Sequence, residues 1–142
     1  MERVAQCQCG ALRAYVSGET DRVNICHCKD CQRRTGSLFH AGAFWPRTQV
    51  RIEGESKAYP RRADSGRTVT FHFCPTCGSS MFMENELLPD HIGICIGTFA
   101  DPSFPLPAFS VWEEYRHSWV GVPEEAKRFL RGRDGPVVTE GR

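Results

Sequence analysis

Seven of the eight cysteines in this 142-residue chain fall into three tight motifs. They are Cys7-Gln8-Cys9-Gly10, Cys26-His27-Cys28-Lys29-Asp30-Cys31 and Cys74-Pro75-Thr76-Cys77-Gly78. Two thiols three positions apart on a tight turn grip one metal ion at about 2.3 Å, and a glycine after the second thiol permits the left-handed backbone of such a turn. The third motif therefore reads as a zinc knuckle. It supplies two ligands where a closed structural site wants four. The matching donor is Cys7-x-Cys9-Gly10, about 65 residues earlier. Joining the two would close a long loop and stabilise a small domain.

The middle motif then stands alone with three thiols inside six residues. Three protein ligands with a fourth position open describe a catalytic zinc site. A purely structural second site, closed by His27, His72 or Cys95, is the rival reading. His27, lying between two ligands in an extended segment, is expected to point away from the metal. For Cys74 and Cys77 the alternative is a redox pair, but no strand–helix context of a thioredoxin fold follows them. Three thiolates on a dipositive ion leave a net charge near −1. Such a site polarises a carbonyl weakly, yet it holds a fourth thiolate and lowers its pKa.

The elements that must position these thiols read as short strands. Ala11 to Val16 alternates apolar and polar residues and stops at Ser17-Gly18. His40 to Trp45, Gln49 to Ile52 and Lys57 to Tyr59 read as a hairpin or meander. Arg67 to Phe73 alternates strongly, with Val69, Phe71 and Phe73 on one face. Ser80 to Met83, Ile92 to Thr98 and Ser110 to Trp112 complete the set. In Ile92 to Gly97 the isoleucines share one face. Gly93, Cys95 and Gly97 share the other, where a backbone or a ligand could approach closely. Only Pro123 to Leu130 looks helical, with proline in the first turn, acids before bases, and Gly132 just past its end. The fold class that follows is mainly β, a single zinc-stabilised domain over residues 1–131 with one short C-terminal helix. Residues 132–142 are expected to form a mobile tail.

Composition sets the outer limits. Hydrophobic residues make up 40% and charged residues 25%, as in a globular protein. A formal net charge of +1 gives no pull toward nucleic acid or membranes. No apolar run approaches the roughly 20 residues of a membrane span, and the polar start lacks the apolar core of a secretory signal. The expected setting is a reducing, cytoplasmic one, where dense thiols call for metal or redox chemistry rather than disulfides.

The motifs in order resemble the glutathione-dependent formaldehyde-activating (GFA) family, which includes centromere-protein-V-like proteins. The resemblance runs from Cys7 to about Val120. Besides the cysteines it rests on Arg33-Arg34-Thr35-Gly36-Ser37, Ala41-Gly42-Ala43-Phe44, Phe73 and Ser79 beside the knuckle, and Gly97-Thr98-Phe99-Ala100-Asp101-Pro102. It implies a β-tent of stacked antiparallel sheets. It assigns a structural zinc to Cys7, Cys9, Cys74 and Cys77, and a catalytic zinc to Cys26, Cys28 and Cys31. The activity it implies is a carbon–sulfur lyase reaction joining formaldehyde to the glutathione thiol. The implied partners are a small thiol and a small aldehyde, with Arg33 and Arg34 as candidate contacts to the glutathione carboxylates. A zinc-stabilised binding module and a thiol-based metal or redox sensor are the alternatives.

Overall fold

The computed structural model of the chain describes residues 1–63 and 66–139. In chain order the strands are β1 (Glu2–Gln6), β2 (Arg13–Ser17), β3 (Val23–Cys26), β4 (His40–Pro46), β5 (Val50–Glu53), β6 (Lys57–Arg62), β7 (Thr68–Phe73), β8 (Ser80–Asn85), β9 (His91–Cys95), β10 (Phe109–Val111) and β11 (Lys127–Arg128). Among the described residues the one α-helix, α1, spans Lys29–Thr35. The chain divides into two compact units. The first holds Met1–Thr20 and Ala43–Pro102, the second Asp21–Gly42 and Ser103–Arg142.

In the first unit, β1, β2 and β5 form one antiparallel sheet. Alternation in Arg-Ala-Tyr-Val-Ser buries Ala14 and Val16 completely and turns Tyr15 outward, where the Arg51 guanidinium lies 4.0 Å from its ring centroid. Strands β6 to β9 form an antiparallel meander in the order β9-β8-β7-β6. The expected hairpin or meander of β4, β5 and β6 does not form among the described residues: none of the three pairs with another. Gly54 sits between β5 and β6 at φ +99, with the Ala11 backbone so close that a Cβ there would overlap its carbonyl oxygen. That close approach seats β5 against β2, and leaves β6 to pair with β7. Pro60 is tolerated because β6 is the outermost strand of the meander.

The apolar face of β7 reads as expected up to a bulge. Phe71 packs with Phe44 and Met83, and Val69, Leu88 and Cys95 lie against them. The register slips between His72 and Phe73, so that Phe73 pairs with Ser80. The small face around Gly93 is explained by packing: a Cβ there would meet the Phe44 ring at 2.7 Å. Phe44 and Trp45 are core residues, the Trp45 indole donating to the Gly18 carbonyl at 3.0 Å.

The second unit is built differently. Its strands β3, β10 and β11 run parallel, with Ile25 opposite Ser110 and Cys26 opposite Val111. Strand β4 begins here with His40, and its residues Ala43, Phe44 and Trp45, which belong to the first unit, are buried.

The helix lies elsewhere than expected. Pro123 to Leu130 is not helical. Its amides bond to β10 and its flank instead of to carbonyls four residues back: Lys127 to Ala108 at 2.9 Å, Phe129 to Ser110 at 2.8 Å. Ala126 and Phe129 are buried, and that burial outweighs the charge pattern that imitated a helix. Of the expected mobile tail, residues 140–142 lie outside the described residues. The Val138 amide donates to the Arg128 carbonyl at 3.0 Å, and the Leu130 amide to the Pro136 carbonyl at 2.9 Å.

Candidate metal centres

The two paired motifs of the first unit occupy hairpin turns. Cys7 and Cys9 lie between β1 and β2, Cys74 and Cys77 between β7 and β8. Each turn closes through backbone bonds: Gly10 to the Cys7 carbonyl at 3.0 Å, Gly78 to the Cys74 carbonyl at 2.8 Å. Gly10 and Gly78 adopt φ +81 and φ +79, the left-handed geometry expected of a knuckle. The four ligand atoms all lie within 4.8 Å of one another. Cys7 and Cys9 sulfurs are 3.6 Å apart, and Cys9 and Cys74 sulfurs 3.7 Å. A disulfide would bring sulfur to about 2.05 Å. Four thiolates at about 2.3 Å around a tetrahedral zinc stand about 3.8 Å apart. The spacing fits the metal and not the disulfide.

Neighbouring donors suit thiolates. The Leu12 amide donates to the Cys7 sulfur at 3.2 Å, and the Ser79 hydroxyl lies 3.2 Å from the Cys77 sulfur. Ser79, together with backbone amides, pulls the Cys77 thiol down to about 5 from an ordinary value of 9.0. At Cys9 the Ala11 amide pulls down, but the neighbouring sulfurs push harder and leave it at about 11. Sulfur packed this closely titrates unevenly until a cation shares the charge.

The third motif sits at a strand–helix junction of the second unit. Cys26 ends β3. Cys28 caps α1, its sulfur accepting from the Cys31 amide at 3.3 Å, and Cys31 lies in the first turn. Gly36 ends the helix at φ +69. The three sulfurs gather within 4.8 Å, and among the described residues they form the only cluster of ligand atoms besides the set of four. The side chains that could have closed the site are engaged elsewhere. His27 is fully buried with its ring on Ser110, His72 is bound to Glu84 at 2.9 Å, and Cys95 packs against the Phe71 cluster.

Both clusters fall inside a stretch shared with known proteins. The family described as glutathione-dependent formaldehyde-activating enzyme (GFA) matches residues 2–115. The chain belongs to this family. A crystal structure of a Rhodobacter sphaeroides protein is similar at a TM-score of 0.54 and 22% identity, covering 67% of this chain and 85% of that one. At that identity the likeness speaks for the fold alone.

In this GFA-family chain the three-thiol cluster carries its own electrostatics. Crowding by Cys28 and Cys31, with burial, raises the Cys26 thiol far above its ordinary value. Cys31 is pulled down by Cys26 but pushed up by Cys28 and burial, to about 11, with Arg34 acting against the rise. Three adjacent sulfurs cannot all ionise without a counter-charge, which a dication would supply.

The two arginines expected near the site part ways. Arg33 is exposed. Arg34 turns inward, one helical turn beyond Cys31, and its guanidinium donates to the Nδ1 of buried His40 at 3.0 Å. Burial, with Arg34 beside it, holds the His40 ring at about 3 instead of 6.5, so it is neutral and accepts at Nδ1. His40 was not legible as a site neighbour from sequence, nor was Gln32. The Gln32 amide donates to the His27 carbonyl at 2.8 Å and to the Tyr115 carbonyl at 3.2 Å. The one sequence signal was the helix spacing of Cys31, Arg34 and Thr35. It becomes visible only once α1 is recognised. Among the described residues no helix is long and apolar enough to cross a membrane.

Proposed function

We propose that this chain is a zinc-dependent carbon–sulfur lyase. It forms and cleaves a thiol–aldehyde adduct such as S-hydroxymethylglutathione, in a cytoplasmic setting. The observation that carries the reading is the inequality of the two clusters: four sulfurs in one, three in the other. Two zinc ions per chain follow, one structural at Cys7, Cys9, Cys74 and Cys77, one catalytic at Cys26, Cys28 and Cys31. Zinc held by three thiolates would supply a coordination position in which a substrate thiol stays deprotonated near neutral pH.

The chain's own residues would do the rest. Cys26, Cys28 and Cys31 fix the position of that thiol relative to β3 and α1. Arg34, oriented by His40, offers positive charge beside Cys31, and exposed Arg33 offers it at the rim. Both suit the two carboxylates of glutathione. In the forward direction the thiol sulfur bonds to the aldehyde carbon, the carbonyl π pair moves to oxygen, and the thiol proton ends on the new hydroxyl. Cleavage runs the same steps backward, so atoms and electrons balance without a further reagent.

The test is to mix zinc-loaded protein with glutathione and formaldehyde and follow adduct exchange by NMR. The proposal expects exchange well above the spontaneous rate, with the excess lost in Cys31→Ser. Exchange equal to the protein-free rate removes formaldehyde–glutathione chemistry from this chain.

A further inference from the structure

His27 lies between two of the three clustered thiols, yet its ring faces away from them into the interior of the second unit. Every polar handle of the residue but one is held. Its amide donates to the Val111 carbonyl at 3.0 Å, and its carbonyl accepts from Gln32 at 2.8 Å. Its Nε2 lies 3.1 Å from the Ser110 hydroxyl, and its ring rests on Phe39 at 5.8 Å between centroids.

The Ser110 hydroxyl is hydrogen-bonded in turn to Glu113. Glu113 has no exposed surface. Its carboxylate accepts from Arg128 at 2.5 and 2.8 Å and pairs with Arg116 at 3.3 Å. Burial alone would neutralise the acid, but the Arg128 and Ser110 contacts outweigh it and keep the carboxyl below its ordinary range. A charged Glu113 accepts from Ser110, so the Ser110 oxygen accepts from His27 Nε2–H. The chain of donors runs one way: His27 to Ser110 to Glu113.

Two further features place this chain of bonds against the thiols. Val111, between Ser110 and Trp112, is the register partner of Cys26. Trp112 holds φ +58, a conformation that a bulky residue adopts only when its surroundings impose it. The segment on both sides of Trp112 is bound: Ser110 and Glu113 to the network, and the Trp112 amide to the Arg131 carbonyl at 2.9 Å.

We infer that Glu113, Ser110 and His27 are positioning residues for the three-thiol site. They hold the Cys26–Cys28 segment in the arrangement that would bind metal, although none of them is a ligand. The inference rests on reading the trio as a metal site and not on the reaction assigned to it. Outer partners that orient ligands are typically worth about 10- to 100-fold in metal affinity. The four-thiol cluster, which lies in the other unit, is the internal control.

The experiment is competitive zinc removal from the full chain with a chromophoric chelator, on wild type, Ser110→Ala, His27→Leu and His27→Gln. Cobalt(II) absorption spectra of each report ligand geometry. Ser110→Ala leaves the Glu113–Arg128 pair in place, and Gln keeps a donor near the position of Nε2. The expected result is a loss of about 10- to 100-fold in affinity at the weaker zinc site for Ser110→Ala and His27→Leu. The stronger site should be unchanged, the cobalt bands shifted, and His27→Gln should recover much of the loss. Equal affinities in all four proteins, or a parallel fall at both sites with thermal stability, would make the network ordinary packing and overturn the inference. A wild type that takes up a single metal ion would overturn the reading of the trio itself. Full metal uptake with no adduct chemistry would sink only the proposed reaction.

Discussion

The two thiol clusters are made from the same residue type and differ in how the chain brings them together. The set of four joins two hairpin turns 65 residues apart in sequence, and its sulfurs stand at the separations of a metal tetrahedron. The set of three is local, contained within Cys26 to Cys31, and hangs on a strand end and one short helix. A cluster that joins distant turns gains its value from the loop it closes. A local cluster closes almost nothing. On the proposed reading, its surroundings of Arg34, His40, His27 and Gln32 would serve it more than it serves the fold. Stability should therefore follow the first cluster and chemistry the second.

The largest effect that can break this comparison is removal of a thiol proposed to bridge the two turns. Cys74→Ser takes a fully buried sulfur from the first cluster. Structural zinc contributes on the order of 10 kcal/mol to folding, comparable to the whole stability of a small domain. The variant should be largely unfolded at about 25 °C by circular dichroism. A folded Cys74→Ser protein with a near-normal melting temperature would remove the structural role.

Cys31→Ser should behave in the opposite way. It should keep its fold, with a melting temperature within about 5 °C of wild type, as for a loss on the order of 1 kcal/mol. It should bind one zinc fewer and lose adduct exchange. Unfolding of this variant would equate the two sites and erase the distinction.

A pH experiment sharpens the contrast further. Buried His40 titrates at about 3, held down by burial and then by Arg34, against an ordinary 6.5. The unfolded chain therefore takes up a proton that the folded one refuses. The stability this gives is fully present above pH 6.5 and is lost as pH falls toward 3. In matched zinc-loaded samples, wild type should lose stability relative to His40→Gln by about 1.4 kcal/mol per pH unit between about pH 6 and 4, measured by urea unfolding. Parallel curves would show that the ring is already protonated or solvated in the native state.

The smallest effect concerns the knuckle backbone. Gly78 has φ +79 and open space where a Cβ would stand, so Gly78→Ala meets only the strain of its backbone conformation. The cost should be about 1 kcal/mol, seen as a lower urea midpoint with zinc stoichiometry unchanged.

Much of this was legible in the sequence because cysteine spacing and strict alternation are local signals. The grouping of the thiols into a set of four and a set of three, and strands such as Thr68–Phe73 and Ser80–Asn85, could be read directly. What could not be read depends on partners far along the chain. Helix α1 buries none of its residues and so leaves no apolar stripe to find. Pro123 to Leu130 imitates a helix because Lys127 and Arg128 follow Glu124 and Glu125, whereas Arg128 is there to meet buried Glu113. Glu113 itself, in Trp112-Glu113-Glu114-Tyr115, looks no different from its exposed neighbour Glu114 until β10 is set beside β3.

Zinc counted per chain by native mass spectrometry, before and after brief chelation, tests the central claim most directly. Two zinc ions should be present at first. One should leave quickly while the circular dichroism spectrum stays native, and Cys31→Ser should start with the slow one alone. Simultaneous loss of both ions with unfolding, or a single zinc from the outset, would contradict the division of the cysteines into a site for the fold and a site for chemistry.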